Sequence, residues 1–160
     1  MATSNAQGQA GPGQLFTGFY FSVSLDGKSS SADAAFQEVS GLSKELQVEE
    51  VASGGENRFK YRLPTTTSFG NLVLKRGVTA DSSALISWVA DTLNGGLATA
   101  IVPKNVMVNL LNSAGQPCQS WTFNKAYPVK WSASDLKSAT GEVFIETIEL
   151  AYQYFDVISR

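Results

Sequence analysis

Apolar and polar residues alternate one by one through most of this chain. A chain written that way can bury its apolar half only as strands with one wet face. Phe19, Phe21, Val23 and Leu25 alternate with Tyr20, Ser22, Ser24 and Asp26, and Asp26-Gly27 is a turn signal. Phe36 to Val39 follows, closed by Ser40-Gly41-Leu42. Lys44 to Val51 sets Leu46 and Val48 against Glu45, Gln47 and Glu49, and Asn71 to Arg76 completes a third segment. Between the last two, Ala52 to Ser68 reads as one polar loop of about 17 residues, a length usually reserved for function or disorder. Lys104 to Asn112 alternates again, turns at Asn112-Ser113-Ala114-Gly115, and returns as Cys118 to Ala126. Tyr127-Pro128 is expected to break the ladder, since proline donates no hydrogen bond. Val129 to Ser134 then forms a separate strand, and Ser138 to Gly141 a turn. Glu142 to Phe155 reads as one last strand of roughly 14 residues, near 46 Å at ~3.3 Å per residue, against a usual ~3–10 residues. If it outruns its partner in the chain, its unpaired N–H and C=O groups could pair with another copy.

Only Thr79 to Asn94 repeats at the helical period. Leu85, Val89 and Leu93 recur four apart, with Ile86 and Trp88 widening the stripe. Thr79 or Asp81 can cap its start, and Asn94-Gly95-Gly96 ends it. About eight strands and one helix, joined by short loops, predict a mainly β fold: an antiparallel sandwich or partly open barrel with one flanking helix. Residues 1–15, rich in Gly, Ala and Gln, read as a flexible arm, and residues 16–160 as a single domain.

Composition removes several function classes. The chain has no histidine and one cysteine, Cys118, so the commonest general base is missing and no His/Cys zinc site can be built. No cofactor or metal is expected. A net charge of −2 gives no general attraction to nucleic acid. No apolar run is long enough for a membrane-spanning helix, and the N-terminus lacks the basic and apolar regions of a secretion signal, so a chain made in the cytoplasm is expected.

The remaining candidate sites have plain structural readings beside them. Gly54-Gly55 with Arg58 and Lys60 hints at a phosphate cradle, but a P-loop needs a Lys-Ser or Lys-Thr pair opening a helix, and an exposed loop is the better account. Glu45, Gln47, Glu49 and Glu50 could hold a paired-carboxylate site, yet a solvated strand face explains them. A hydrolase built on Glu45, Glu49 or Glu146 lacks any histidine to help it. Cys118 reads as a half-buried filler, and Lys44 with Lys75-Arg76 as ordinary strand-end charge.

One ordered set of segments is more specific. F-x-E-V-S-G-L from Phe36, then Glu45 to Asn57 with its Val51 and Gly54-Gly55-Glu56-Asn57, then Leu63-Pro64, then Asn71-Leu72-Val73-Leu74-Lys75-Arg76-Gly77, resembles the tail-tube family. That family covers phage tail tubes, the inner tubes of contractile injection systems and type VI secretion tube proteins. The likeness runs on through the Trp88 helix to Gly141-Glu142-Val143 and Ile145 to Leu150, from about Phe16 to Phe155. It implies a structural subunit and not an enzyme. Six-fold rings would stack into a hollow tube, with sheets of all subunits joined into one inner barrel that conducts protein or DNA. Four strands from each of six subunits would make roughly 24 strands, a circumference near ~115 Å and a diameter of roughly 37 Å. The Gly-Gly loop (Gly54, Gly55, Glu56, Asn57, Arg58, Lys60) would reach the next ring, its charges pairing across that contact. Glu45, Gln47, Glu49, Lys130 and Ser132 would face the lumen. The implied partners are the chain itself, a contractile sheath, a baseplate hub or spike, a tube terminator or cap, and cargo. The tube would be assembled in the cytoplasm and released as part of an extracellular particle or a virion. A virion tail tube is the near alternative, and a monomeric ligand-binding β-barrel the distant one.

Overall fold

Nine strands and one α-helix form among residues 20–28, 36–78, 83–135 and 143–158, which the computed structural model of the chain describes. The strands are β1 (Tyr20–Leu25), β2 (Glu38–Ser40), β3 (Lys44–Val51), β4 (Tyr61–Phe69), β5 (Leu72–Gly77), β6 (Lys104–Leu111), β7 (Pro117–Ala133), β8 (Ile145–Ala151) and β9 (Tyr154–Ile158). The helix, α1, spans Ala84–Gly95 and runs on into a single 3-10 turn at Gly96–Ala98.

The longest strand, β7, joins two sheets. Its first half pairs with β6 on one side and β9 on the other, and its second half pairs with β8. One sheet is therefore β1-β6-β7-β9 and the other β7-β8-β5-β2, with every pairing antiparallel. At the opposite corner the backbones of Phe21 and Phe36 exchange two hydrogen bonds, of 3.3 and 3.1 Å. The body is thus a partly open antiparallel barrel, shared strand at one seam and a single bridge at the other.

The alternation seen in the sequence fills it. Val23 and Leu25 of β1, Leu72 and Leu74 of β5, Val106 and Val108 of β6, Phe123 of β7, and Ile148 and Leu150 of β8 all point inward and are buried. Each such side chain contributes roughly 1.5–3 kcal/mol on leaving water. Leu85, Trp88 and Val89 of α1 join this core. Ser83 begins the helix, its Oγ accepting from the Ile86 N–H at 3.3 Å. Thr79 and Asp81, the caps expected from sequence, lie outside the described residues, as do the Ser138–Gly141 turn and the 1–15 arm.

Three expected boundaries are corrected. Pro128 does not break the ladder: β7 runs through it, because a bulge between Pro128 and Lys130 inserts Val129, and bulges accommodate proline. The last strand is not one long piece. It is interrupted at Tyr152-Gln153 into β8 and β9, and β7 matches both halves, so β7 is the strand that runs long. The loop after β3 ends at residue 60, since Tyr61–Phe69 is β4. Its Thr65-Thr66-Thr67 run is β-branched but carries no alternation, because both faces of that strand are wet.

Gly41 lies where β2 gives way to β3. Its φ is +83°, and a Cβ there would sit 1.8 Å from the Asn71 carbonyl oxygen. Gly41→Ala is therefore expected to destabilise the subunit by more than ~1 kcal/mol. Thermal unfolding measures it, and an unchanged midpoint would show that the bend relaxes at no cost.

Candidate functional site

Two features stand out on the surface of the described residues: a protruding hairpin and an open sheet edge. The hairpin comes first. β2 and β3 run out along β5 and β4 as one long bent ribbon, and its distal half, β3–β4, forms a two-stranded sheet of its own. All of β3 is exposed, and so is β4 apart from Phe69. A ribbon of two strands with both faces in water is marginally stable alone. Phe69 packs on the core, so the side it shares with Lys44, Leu46, Val48 and Pro64 is the core side. Leu46 and Val48 nevertheless remain 56% and 46% exposed. Glu45, Gln47 and Glu49, with Ser68 and Leu63, take the other side, where Gln47 donates to the Ser68 hydroxyl at 3.0 Å.

At the ribbon's tip the charged residues are already satisfied. The Glu56 carboxylate accepts from the Arg58 backbone N–H, Nε and Nη2, each at 3.0 Å. The Arg58 guanidinium holds the Glu56 carboxyl below its usual range, and Glu56 raises Arg58 in turn. Lys60 lies 3.7 Å from Glu50. Gly54, Gly55 and Asn57 are exposed, and Phe59 and Tyr61 stand beside them as an exposed edge-to-face pair, centroids 5.3 Å apart.

The open edge belongs to β7. The Ser134 N–H donates to the Ile145 carbonyl at 2.8 Å, and the register from there back to Lys130↔Glu149 is regular. An antiparallel ladder alternates. The backbone groups of Lys130 and Ser132 thus face β8, and those of Trp131 and Ala133 face away, where no described strand pairs with them. Tyr127, Val129 and Trp131 on this edge are 37%, 41% and 47% exposed. Lys130 and Ser132 lie on the side of the sheet away from the core, Lys130 3.5 Å from Glu149 and Ser132 opposite Thr147. Lys75 and Glu38, on that same side, pair at 2.9 Å.

Sequence reading missed what lies under this edge. Arg76 and Glu146 form an ion pair, both side chains about 95% buried. Arg76 also stacks over the Phe36 ring at 5.6 Å, and Trp131 Nε1 donates to Glu146 Oε2 at 3.1 Å. A signal was present: Arg76 is in phase with Leu72 and Leu74, and Glu146 with Ile148 and Leu150, so two opposite charges stand on two apolar stripes.

A shallow groove of about 310 Å³ runs between α1 and the segment before β6, lined by Trp88, Asp91, Thr92, Ile101, Val102 and Lys104. Glu45 and Glu49 lie on the exposed ribbon, apart from the buried Glu146. Cys118 is half-buried, and burial raises the Tyr152 phenol above its usual range. Among the described residues no cluster of His, Cys, Asp or Glu could hold a metal ion, and no helix is long and apolar enough to cross a membrane.

Known proteins match the chain along nearly all of this architecture. No curated protein matches it. Among solved structures, a chain of the anti-feeding prophage (AFP) baseplate, 6-fold symmetrised, is 32% identical, with 91% of this chain and 97% of that one covered at a TM-score of 0.76. A chain of the PVC sheath-tube complex, from an extracellular contractile injection system, is 20% identical over 99% of this chain and 100% of that one, at a TM-score of 0.77. A chain of the AFP tube-terminating cap is 19% identical over 99% and 100%, at 0.76. The family model of the T4-like virus tail tube protein gp19 matches residues 17–156. The chain therefore belongs to the T4-like virus tail tube protein gp19 family.

Proposed function

We propose that this chain is the structural subunit of the inner tube of a phage-tail-like contractile injection system, closing into six-membered rings that stack around a hollow channel. The observation that carries this is the β7-β8-β5-β2 sheet. It has four strands of alternating direction and an open edge at each end, Tyr127–Ala133 of β7 on one side and β2–β3 on the other. With an even strand count, the β7 edge of one copy meets the β2–β3 edge of the next in antiparallel sense. Every seam of a closed ring is then identical and every strand pairs. The 32% identical relative, in a six-fold particle, supports the ring size. No catalytic step is part of this reading: the function is assembly.

In the ring, the side of the sheet away from each subunit core faces the lumen. Lys130, Ser132, Glu45, Gln47 and Glu49 line it, together with the Glu38–Lys75 pair. Opposite charges paired along the wall leave cargo few isolated charges to bind. The sheath, the baseplate and the terminating cap named with the similar chains are the partners we assign. Assembly takes place in the cytoplasm, and the finished tube belongs to an extracellular particle. Likeness to two chains of one particle favours a position toward the baseplate: 32% identity to the AFP baseplate chain against 19% to the AFP cap chain.

Negative-stain electron microscopy and light scattering of the purified chain test the reading. Six-fold rings support it; a monomer that holds a small ligand at high concentration returns the chain to a ligand-binding barrel. The tip loop has a separate test. Deleting Gly54 to Arg58 is expected to stop rings from stacking while leaving each ring closed, because the loop lies beyond the last β3–β4 pair, Val51↔Tyr61. Normal stacked tubes from the deleted form would remove the loop from the inter-ring contact.

A further inference from the structure

Trp131 is half in water, yet its indole is fixed at its polar end. Nε1 is held by Glu146, and Glu146 is held by Arg76 beneath. The residue opposite it on β8, Ile148, is fully buried, so Trp131 stands on the core side of the sheet at the open edge of β7. An exposed tryptophan whose orientation is fixed before any partner arrives loses little conformational freedom on binding, which is how interface anchors work.

We propose that Trp131 is the anchor of the seam between neighbouring subunits, and that it packs on Leu46 and Val48 of the next copy's β3. This rests on the ring reading above. Three observations select that occupant. Trp131 and Ala133 turn their backbone groups away from β8, which suits a strand as partner, and the β2–β3 edge, which no further described strand pairs, runs in the sense an antiparallel seam requires. Trp131 shares the core side of its sheet with Ile148, and Leu46 and Val48 share the core side of theirs with Phe69, so one continuous sheet brings them to the same side. Both sets are apolar and half exposed in the single subunit, at 47% for Trp131 and 56% and 46% for its two partners. Arg76 and Glu146 are then positioning residues, acting through the indole and not on the neighbour.

The test is a double-mutant cycle on the full chain, read as the protein concentration at which rings half-assemble in light scattering. Trp131→Ala and Leu46→Ala are each expected to raise it roughly tenfold or more, and the double variant to lose less than the product of the two. Wild-type fluorescence minus that of Trp131→Phe should shift to shorter wavelength as rings form, because the indole leaves water. Independent, multiplicative losses would overturn the contact, as would an unshifted difference spectrum. Should Trp131→Ala fail to fold, Leu46→Asp replaces it: Leu46 is exposed in the subunit, and rings at the wild-type concentration would overturn the proposal. If the wild-type chain forms no rings, the ring reading itself falls. If it forms rings and these variants do so equally well, only the anchor falls.

Discussion

Ala133→Pro is expected to abolish ring formation and leave the subunit folded. Among the described residues the Ala133 N–H has no ladder partner, because the bond from Ser134 to Ile145 sets the alternation and turns the Ala133 backbone toward the open edge. Proline is tolerated on an edge strand when the lost N–H faced outward, and its demand for an extended preceding residue is met by Ser132 inside β7. In the ring the same N–H becomes one rung of each seam, and the proline ring also obstructs the neighbour's approach. Each closed ring carries this defect at every seam, so the loss multiplies. Sedimentation should find only monomer at concentrations where the wild type forms rings, with unchanged circular dichroism. Ser132→Pro is the control: its backbone bonds to β8, so it should damage the fold instead. Rings of normal stability from Ala133→Pro would mean that this edge of β7 is not a seam.

Strands that bury one face were legible in the sequence because burial and alternation are the same fact there. β1, β5, β6 and β8 each carry an inward apolar stripe at alternate positions, broken by one charge in β5 and one in β8, and the fold follows. β4 was not legible, because both of its faces are wet and nothing selects an alternating pattern until a neighbour covers one. The continuity of β7 through Pro128 was hidden for a different reason. A bulge is a local insertion, and the residues around Val129 look like a turn until the partner strand is known. The wet-face residues Lys130, Ser132, Glu45, Gln47 and Glu49 could be grouped from their period alone. The open edge could not, since which side of β7 pairs is a property of the whole sheet. The residues after Gly141 read as the long strand, but the long strand is their partner β7. Charges at Arg76 and Glu146 broke two apolar stripes in plain view, but only the β5–β8 register shows that they meet.

Removing one member of that pair should be the most damaging single change in the molecule. Arg76→Met leaves the Glu146 carboxylate buried with the Trp131 N–H but without its counter-charge. Breaking a buried ion pair on one side costs about 3–5 kcal/mol, because desolvation of the surviving charge is no longer offset. For a chain of this size that lowers the melting midpoint by roughly 6–20 °C. Replacing both members, as Arg76→Met with Glu146→Met, removes both desolvation terms and fills similar volume, so it should recover most of the loss. Urea unfolding in the Ala133→Pro background keeps assembly from adding to the measured stability. Single variants within ~1 kcal/mol of their parent would mean that water or other groups solvate the lone charge. The double variant also separates stability from assembly when Ala133 is restored. It folds, but the Trp131 indole has lost its acceptor, so rings should need more protein to form. A double variant that is stable and assembles as the wild type does would leave the pair a purely structural role.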